Sequence, residues 1–331
     1  MVTGRQLDDL LTVFPETHLF DRVVAENGGL YYDPTTREVR PLAAAPPEEF
    51  VGELERRRVD PLSVGHVIVA TWEPHEQTVL QVIRDLNLEL QVIFNKGAVM
   101  VLPSGVNKAT GLLRALQSLK LSPHDTVGIG DAENDHAFLT ACECGVAVGN
   151  ALDSLKAHAD LVTRSDDGEG VIELIDRLIA SDLEELNSRL ARHRIVLGHS
   201  GDGVDVPLES NNGVVLVAGP SGGGKTMITR ALAERLRDAM YQFCVIDPEG
   251  DYDEFSGAIA LRGADRRALA DDAIRVLDNP GENAVVNLMD FRLDHRPQFF
   301  QLLLPRLLEL RTTAGRPHWI IVEEAHHLLP S

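Results

Sequence analysis

Apolar positions first recur at helical spacing over Gln6–Val13, and no apolar run of strand length precedes them. Phe20–Tyr32, FDRVVAENGGLYY, reads as strand, Asn-Gly turn, strand. A mixed segment follows: the Pro-rich Pro41–Pro47, a helix over Glu48–Arg57 and a β-rich stretch over Val64–Thr71. A helix over Glu76–Asp85 comes next, then Leu88–Phe94 and Gly97–Leu102 as neighbouring strands about Asn95-Lys96. These predict a small α+β module inserted between parts of a larger sheet. From Asn107 the pattern becomes alternating helix and strand. Helices are predicted over Lys108–Leu119, Ala132–Cys142, Ser154–Ala159 and Gly170–Ile179, with strands over Thr126–Gly130, Gly145–Val148 and Leu161–Thr163. That alternation predicts a doubly wound α/β core on a parallel sheet.

Leu178–Arg194 reads as one long polar-faced helix leading out of this first domain, with the domain boundary near Ser181–Ile195. Ile195–Leu208 reads as a hairpin turned at Gly201-Asp202-Gly203, and ESNNG leads from it into a buried strand over Val214–Ala218. Beyond that strand a helix is predicted over Met227–Arg237, strands over Tyr241–Asp247 and Asn283–Phe291, an amphipathic helix over Pro297–Thr312 and a strand over Trp319–Val322. The Leu stripe of Pro297–Thr312 reads as core rather than as a partner surface.

At 331 residues the chain is long enough for two domains with separate cores, and 44% apolar with 25% charged residues is ordinary globular composition. No apolar run reaches membrane-spanning length, and MVTGRQLDDLL lacks the shape of a signal peptide. The reading expects a cytoplasmic protein, with Cys142, Cys144 and Cys244 buried and reduced. A net charge of −20 argues against broad attraction to nucleic acid or anionic lipid.

Gly219–Thr226, GPSGGGKT, fits G-x-x-x-x-G-K-[ST] between a predicted strand and a predicted helix. Gly219, Ser221, Gly222, Gly223 and Gly224 let backbone N–H groups cradle phosphate oxygens at a helix N-terminus. Lys225 would reach the outer phosphates and the Thr226 hydroxyl would sit on Mg²⁺, so ATP and Mg²⁺ are the expected cofactors. At the end of Trp319–Val322, Glu323 would hold Mg²⁺ through water and Glu324 would orient or deprotonate the attacking water. The acids that close Tyr241–Asp247 either join that site or only cap a turn. His326-His327 lacks the H-E-x-x-H spacing of a zinc helix. In the first domain the loop GDAEND crowds Asp131, Glu133, Asn134 and Asp135 at a strand's carboxyl end. Mg²⁺ would relieve their repulsion, and a solvated acidic helix start is the bland alternative.

Thr3-Gly4-Arg5, Asn107-Lys108 and Gly130-Asp131…Asn134-Asp135 resemble, in order, three motifs of the haloacid dehalogenase superfamily. VVAENGGLYY, VNKATGL and VAVGNA are similar to its Cof-type sugar-phosphatase branch, which carries a cap domain. The resemblance implies that Thr3 and Lys108 hold the transferring phosphoryl group and that Asp131 and Asp135 hold Mg²⁺. It implies a core over 1–14 and 96–182 and a cap over 15–95, while the pattern of the residues themselves sets a linker helix over 183–194 and an incomplete P-loop domain over 195–331. The family's D-x-D-G-T nucleophile segment lies upstream of Thr-Gly-Arg and is not among these residues, so weak phosphatase activity is expected. GPSGGGKT, VIDPEGDY and IIVEEAH resemble the FtsK/HerA-like branch of P-loop ATPases, which implies glutamate-dependent ATP hydrolysis and assembly as a homo-oligomeric ring. Later strands and an arginine finger of that branch are not among these residues, and the domain is expected to be incomplete.

The leading expectation is therefore a haloacid dehalogenase-like hydrolase, acting on a phosphorylated, sugar-phosphate-like small molecule, fused to a P-loop ATPase. A kinase–phosphatase fusion is the alternative, with Arg230, Arg235, Arg237, Arg262, Arg266 and Arg267 available but scattered for a lid. A non-catalytic nucleotide sensor is the third.

Overall fold

The computed structural model describes residues 1–190, 194–208 and 213–329. The chain divides into two compact units, one of 1–118 with 126–186 and one of 119–125 with 187–331.

The first unit begins with α1 (Leu7–Val13), which buries Leu7 and Leu10. It packs on β1 (Val23–Ala25) and β2 (Leu30–Asp33), an antiparallel pair extended by β3 (Glu38–Pro41). The Asn-Gly turn is present, with Asn27 left-handed at φ 54. The strand β3 has four exposed residues and no apolar alternation, which explains why the sequence pattern does not reveal it. Next come α2 (Glu48–Arg56), β4 (Ser63–Val64), β5 (Val69–Trp72), α3 (Glu76–Asp85), β6 (Leu90–Asn95) and β7 (Ala98–Pro103). The strands form an antiparallel sheet in the order β4-β5-β7-β6. Phe50 and Leu54 of α2 and Val79 and Val82 of α3 pack on Val69, Val99 and Val101 of that sheet, the predicted α+β module.

The alternating segment follows with α4 (Lys108–Leu119), β8 (Val127–Gly130), α5 (His136–Ala141), β9 (Cys144–Ala147), α6 (Asp153–Lys156), β10 (Leu161–Val162) and α7 (Asp167–Ser181). Its strands are parallel in the order β8-β9-β10, as the alternation predicts. The long exit helix does not form. The helix α7 stops at Ser181, because Asp182 (φ 51) and Leu183 (φ 56) turn left-handed, and a 3₁₀ segment over Glu184–Arg189 follows. The last part of the predicted helix, 191–193, lies outside the described residues.

The second unit opens with the hairpin β11 (Ile195–His199) and β12 (Asp205–Leu208), joined as predicted through Gly201-Asp202-Gly203. Most of the ESNNG connection (209–212) lies outside the described residues. Then come α8 (Lys225–Asp238), β13 (Phe243–Asp247), β14 (Ile259–Leu261), α9 (Arg266–Leu277), β15 (Ala284–Asn287), α10 (Arg296–Ala314) and β16 (Trp319–Val322). The parallel sheet runs β14-β15-β13-β16. Period-two alternation divides its side chains between two cores. Cys244, Ile246, Ala284 and Val286 face Leu269, Ala273, Phe299, Leu303 and Leu307 of α9 and α10. Phe243, Val245 and Val285 face Leu232, Ala233 and Leu236 of α8. The Leu stripe of α10 is core, as read.

One predicted strand is absent. Residues 213–220 have no regular structure, and Val214 and Leu216 are 98% and 86% exposed. An apolar run becomes a buried strand only if ladder partners and covering side chains receive it. Here β13 pairs directly with β15 and β16, and Val214–Ala218 gains no ladder among the described residues. The strand β14 and helix α9 are further elements that the sequence reading passes over, although α9 buries Leu269, Ala270, Ala273 and Leu277 at helical spacing.

Candidate functional sites

In the first unit the N-terminal segment runs beside the β1–β2 turn. Val2 bridges to Val24, Thr3 N–H donates to Val24 O at 2.8 Å, and Asn27 N–H donates to Thr3 O at 3.0 Å. The Thr3 Oγ1 atom accepts from Arg5 N–H at 3.2 Å. From the other side Lys108, the first residue of α4, is buried. Its ammonium donates to Asp135 Oδ1 at 2.6 Å and to Asn134 Oδ1 at 3.2 Å. The Asp135 Oδ2 atom accepts from the N–H groups of Asp131 and Ala132 at 3.0 and 3.1 Å, so both carboxylate oxygens are engaged. The Asn134 side-chain amide donates in turn to Asn27 Oδ1 at 2.9 Å. Thr3, Lys108 and the acidic loop, 132 positions apart at their extremes, are thus linked through Asn27 and Asn134.

The two carboxylates assigned to Mg²⁺ separate in role. Asp135 is buried on Lys108, whereas Asp131 is at the surface and pairs with Lys96 at 2.7 Å. That hydrogen bond and charge hold the Lys96 ammonium above its ordinary pKa. Among the described residues no three His, Cys, Asp or Glu side chains gather as a ligand set. The donor set of the first unit therefore does not fit a metal centre built from these side chains alone.

Glu26 was missed in the sequence. It is fully buried, and its carboxylate accepts from the N–H groups of His66, Val67 and Ile68 at 3.0, 2.6 and 3.0 Å. It ties the turn to the inserted module. Glu26 and Asn27 are both left-handed (φ 50 and 54), a backbone that Asn tolerates better than most residues. The only signal for them was ENGG within a segment of family resemblance.

In the second unit GPSGGGKT forms an open loop before α8. Gly222 and Gly224 have φ 74 and 84, and a Cβ on either would meet nothing within 4 Å, which leaves a backbone cradle open to an anion. Gly223 N–H donates to Pro220 O at 3.1 Å. Gly219, Ser221 and Lys225 line a cavity of about 880 Å³ with Glu323, Glu324 and residues 213–218. Lys225 Nζ lies 3.5 Å from Glu324 Oε1, and Glu324 is left-handed at φ 41. The structure brings together the two residues read as phosphate-binding lysine and water-orienting acid. Thr226 stands on the first turn of α8. The residue chemistry fits a nucleotide whose phosphates share a cation with the Thr226 hydroxyl.

Glu323 departs from its expected place. It is buried and accepts from Tyr252 O–H at 2.8 Å and from the Thr229 hydroxyl, one turn beyond Thr226. Burial, with this carboxylate beside it, raises the Tyr252 phenol pKa and keeps it protonated as a donor. Asp247 resolves to a turn cap: Oδ1 accepts from Glu249 and Gly250 N–H, and Oδ2 from Tyr252 N–H. His326 Nδ1 lies 3.2 Å from Glu324 Oε2 and belongs to no metal set among the described residues. All three cysteines are buried, and none forms a disulfide among the described residues. No helix among the described residues is long and apolar enough to cross a membrane.

Comparison with known proteins agrees with both halves. Residues 63–175 match the haloacid dehalogenase-like hydrolase family, and 208–331 match an AAA domain. The chain is 32% identical over 187 residues to the phosphoglycolate phosphatase of Methanothermobacter thermautotrophicus, covering 54% of this chain and 82% of that one. It is 31% identical over 120 residues to phosphoglycolate phosphatase 2 of Saccharolobus solfataricus, covering 36% of this chain and spanning only half, 50%, of the relative. A haloacid dehalogenase-like hydrolase of known structure from Bacteroides thetaiotaomicron aligns with a TM-score of 0.45 at 19% identity, over 53% of this chain and 84% of that one. The chain belongs to the haloacid dehalogenase-like hydrolases and carries an AAA domain of the P-loop class in its second half.

Proposed function

We propose that the second unit binds ATP with Mg²⁺ and hydrolyses it, and that the first unit holds the phosphoryl group of a small phosphorylated molecule. The ATP reading rests on one juxtaposition, Lys225 Nζ at 3.5 Å from Glu324 Oε1 beside a glycine cradle with Gly222 and Gly224 left-handed. Lys225 neutralises charge on the outer phosphates, the cradle N–H groups bind their oxygens, and Glu324 orients water for attack. Bound magnesium shares the phosphate charge and would be held by the Thr226 hydroxyl. In the first unit, Thr3 and the Lys108 ammonium, oriented by Asp135, are assigned to phosphoryl oxygens. The phosphoglycolate phosphatases among the relatives make a small phosphorylated carboxylate or sugar the first substrates to try.

Calorimetry with ATP in magnesium buffer, coupled to a phosphate-release assay, tests the ATP reading. Lys225→Ala is expected to abolish measurable binding. Glu324→Gln is expected to keep binding while turnover falls by about 10²–10⁴-fold. Undiminished ATP affinity in Lys225→Ala refutes the assignment. Phosphate release from phosphoglycolate and a sugar phosphate, with Lys108→Met as control, tests the first unit. A second reading, nucleotide binding without turnover, draws on Glu323, whose Oε1 is held by Tyr252 and Thr229. ATP binding with no phosphate release in the wild type would favour it.

A further inference from the structure

Hydrogen-bond directionality in the relay from Lys108 through Asn134 to Asn27 leaves a buried donor unused. A lysine ammonium only donates, so Asn134 must turn its carbonyl oxygen to Lys108, at 3.2 Å. Its amide nitrogen then faces Asn27, whose oxygen must accept, at 2.9 Å. The Asn27 Nδ2 group is thereby left out of the relay. It is buried with no hydrogen-bond partner among the described residues, and Asn27 itself is 0% exposed. A buried amide donor without an acceptor costs about 1–3 kcal/mol and is rare in native proteins.

The surroundings fix this arrangement tightly. The Asn27 N–H is bonded to Thr3 O, and the neighbouring Glu26 N–H to Arg5 O. A Cβ on Gly4 would lie 3.6 Å from Asn134 Nδ2 and 3.9 Å from Asn27 Oδ1, so the Thr3-Gly4 segment backs directly onto the relay. A Cβ on Gly28 would lie 1.9 Å from Asn107 O, which pins the turn against the start of α4, where Lys108 sits.

We propose that Asn27 is a positioning residue of the phosphoryl site: through Asn134 it orients Lys108, and its remaining amide N–H completes its bonding on an anionic phosphoryl oxygen. This rests on the assignment of Lys108 to a phosphoryl group. A phosphate oxygen satisfies the orphaned donor with a charge-assisted bond, at the end of a relay whose other end is the cation for the same anion.

Inorganic phosphate is the probe, titrated by calorimetry into the full chain in magnesium buffer. Asn27→Gly removes the side chain without charge and keeps the left-handed backbone, and Asn27→Asp keeps the acceptor for Asn134 while deleting the free donor. Both should bind phosphate about tenfold or more weakly, the scale of one charge-assisted hydrogen bond. A merely structural role would not move a second readout in the unmutated protein: the Asn27 side-chain amide proton should shift downfield on phosphate addition, saturating with the calorimetric Kd. That spectrum keeps the proposal testable if a variant fails to fold. Undiminished phosphate affinity in both variants, with Lys108→Met losing it, overturns the role of Asn27 while the phosphoryl site stands. An unmoved amide resonance at saturation overturns it too. Absence of phosphate binding by the wild type, or equal binding by Lys108→Met, removes the phosphoryl assignment and the proposal together.

Discussion

The buried Lys108–Asp135 pair is the feature of the first unit whose removal should be felt most, and the structure sets its size. The ammonium and carboxylate are 2.6 Å apart with side chains 11% and 5% exposed. Lys108→Met keeps most of the aliphatic stem and deletes the charge, leaving Asp135 on two N–H donors. Removing one partner of a buried pair costs about 3–5 kcal/mol, and the surviving backbone bonds put this case near about 3 kcal/mol. Asp135→Asn strands the opposite charge and should cost a similar amount. In the double variant neither charge is stranded, so its loss should fall short of the sum by about 1–3 kcal/mol. The two tryptophans allow a clean assay, since Trp72 lies in the first unit and Trp319 in the second. In a Trp319→Phe background, urea unfolding followed by Trp72 fluorescence reports the first unit alone, which matters because two units need not unfold together. In a domain of about 150–250 residues each single variant should lower Tm by about 6–12 °C. Additivity of the two substitutions within about 0.5 kcal/mol would refute the pair as a coupled buried unit.

Gly28→Ala should destabilise the first unit by about 3 kcal/mol, because the new Cβ meets Asn107 O at 1.9 Å on a backbone at φ 102. Gly105→Ala, also left-handed but with nothing within 4 Å, is the control and should cost only about 1 kcal/mol; equal melting temperatures would refute the steric account. The hydrogen bond from Arg177 holds the Glu185 carboxyl down to about 2 from the ordinary 4.5. A depressed carboxyl contributes stability above its unfolded value, so this contribution is present above pH 4.5 and fades as pH falls toward 2. A carbon NMR titration of Glu185 should move upward in Arg177→Ala. Burial pushes the Cys244 thiol up to about 12, and Cys142 and Cys144 are also buried. An aromatic disulfide reagent at pH 8 should find no reactive thiol until denaturant is added, and a fast-reacting native thiol would contradict that.

The sequence by itself determined most of the elements and pointed to both domain families. Alternation and helical spacing carried the parallel segment β8-β9-β10, the hairpins and the Leu face of α10, because each follows from a local period of side-chain placement. GPSGGGKT carried the phosphate loop, since glycines at left-handed positions and a lysine at a helix start are local requirements as well. What the sequence could not determine were matters of pairing between distant residues. Val214–Ala218 is apolar enough for a strand, but a strand exists only if a ladder takes it, and β13 is paired on both sides without it. Asp131 and Asp135 look alike in GDAEND, yet one faces a surface lysine and the other a buried one. Glu323 and Glu324 are adjacent just past the end of β16, yet with the backbone left-handed at Glu324 (φ 41) one meets Tyr252 and Thr229 and the other Lys225. The relay through Asn27 depends on bringing the 27th, 108th and 134th residues to one point, and on hydrogen-bond directions that exist only once they meet. Only the tertiary structure decides which neighbour a polar group receives.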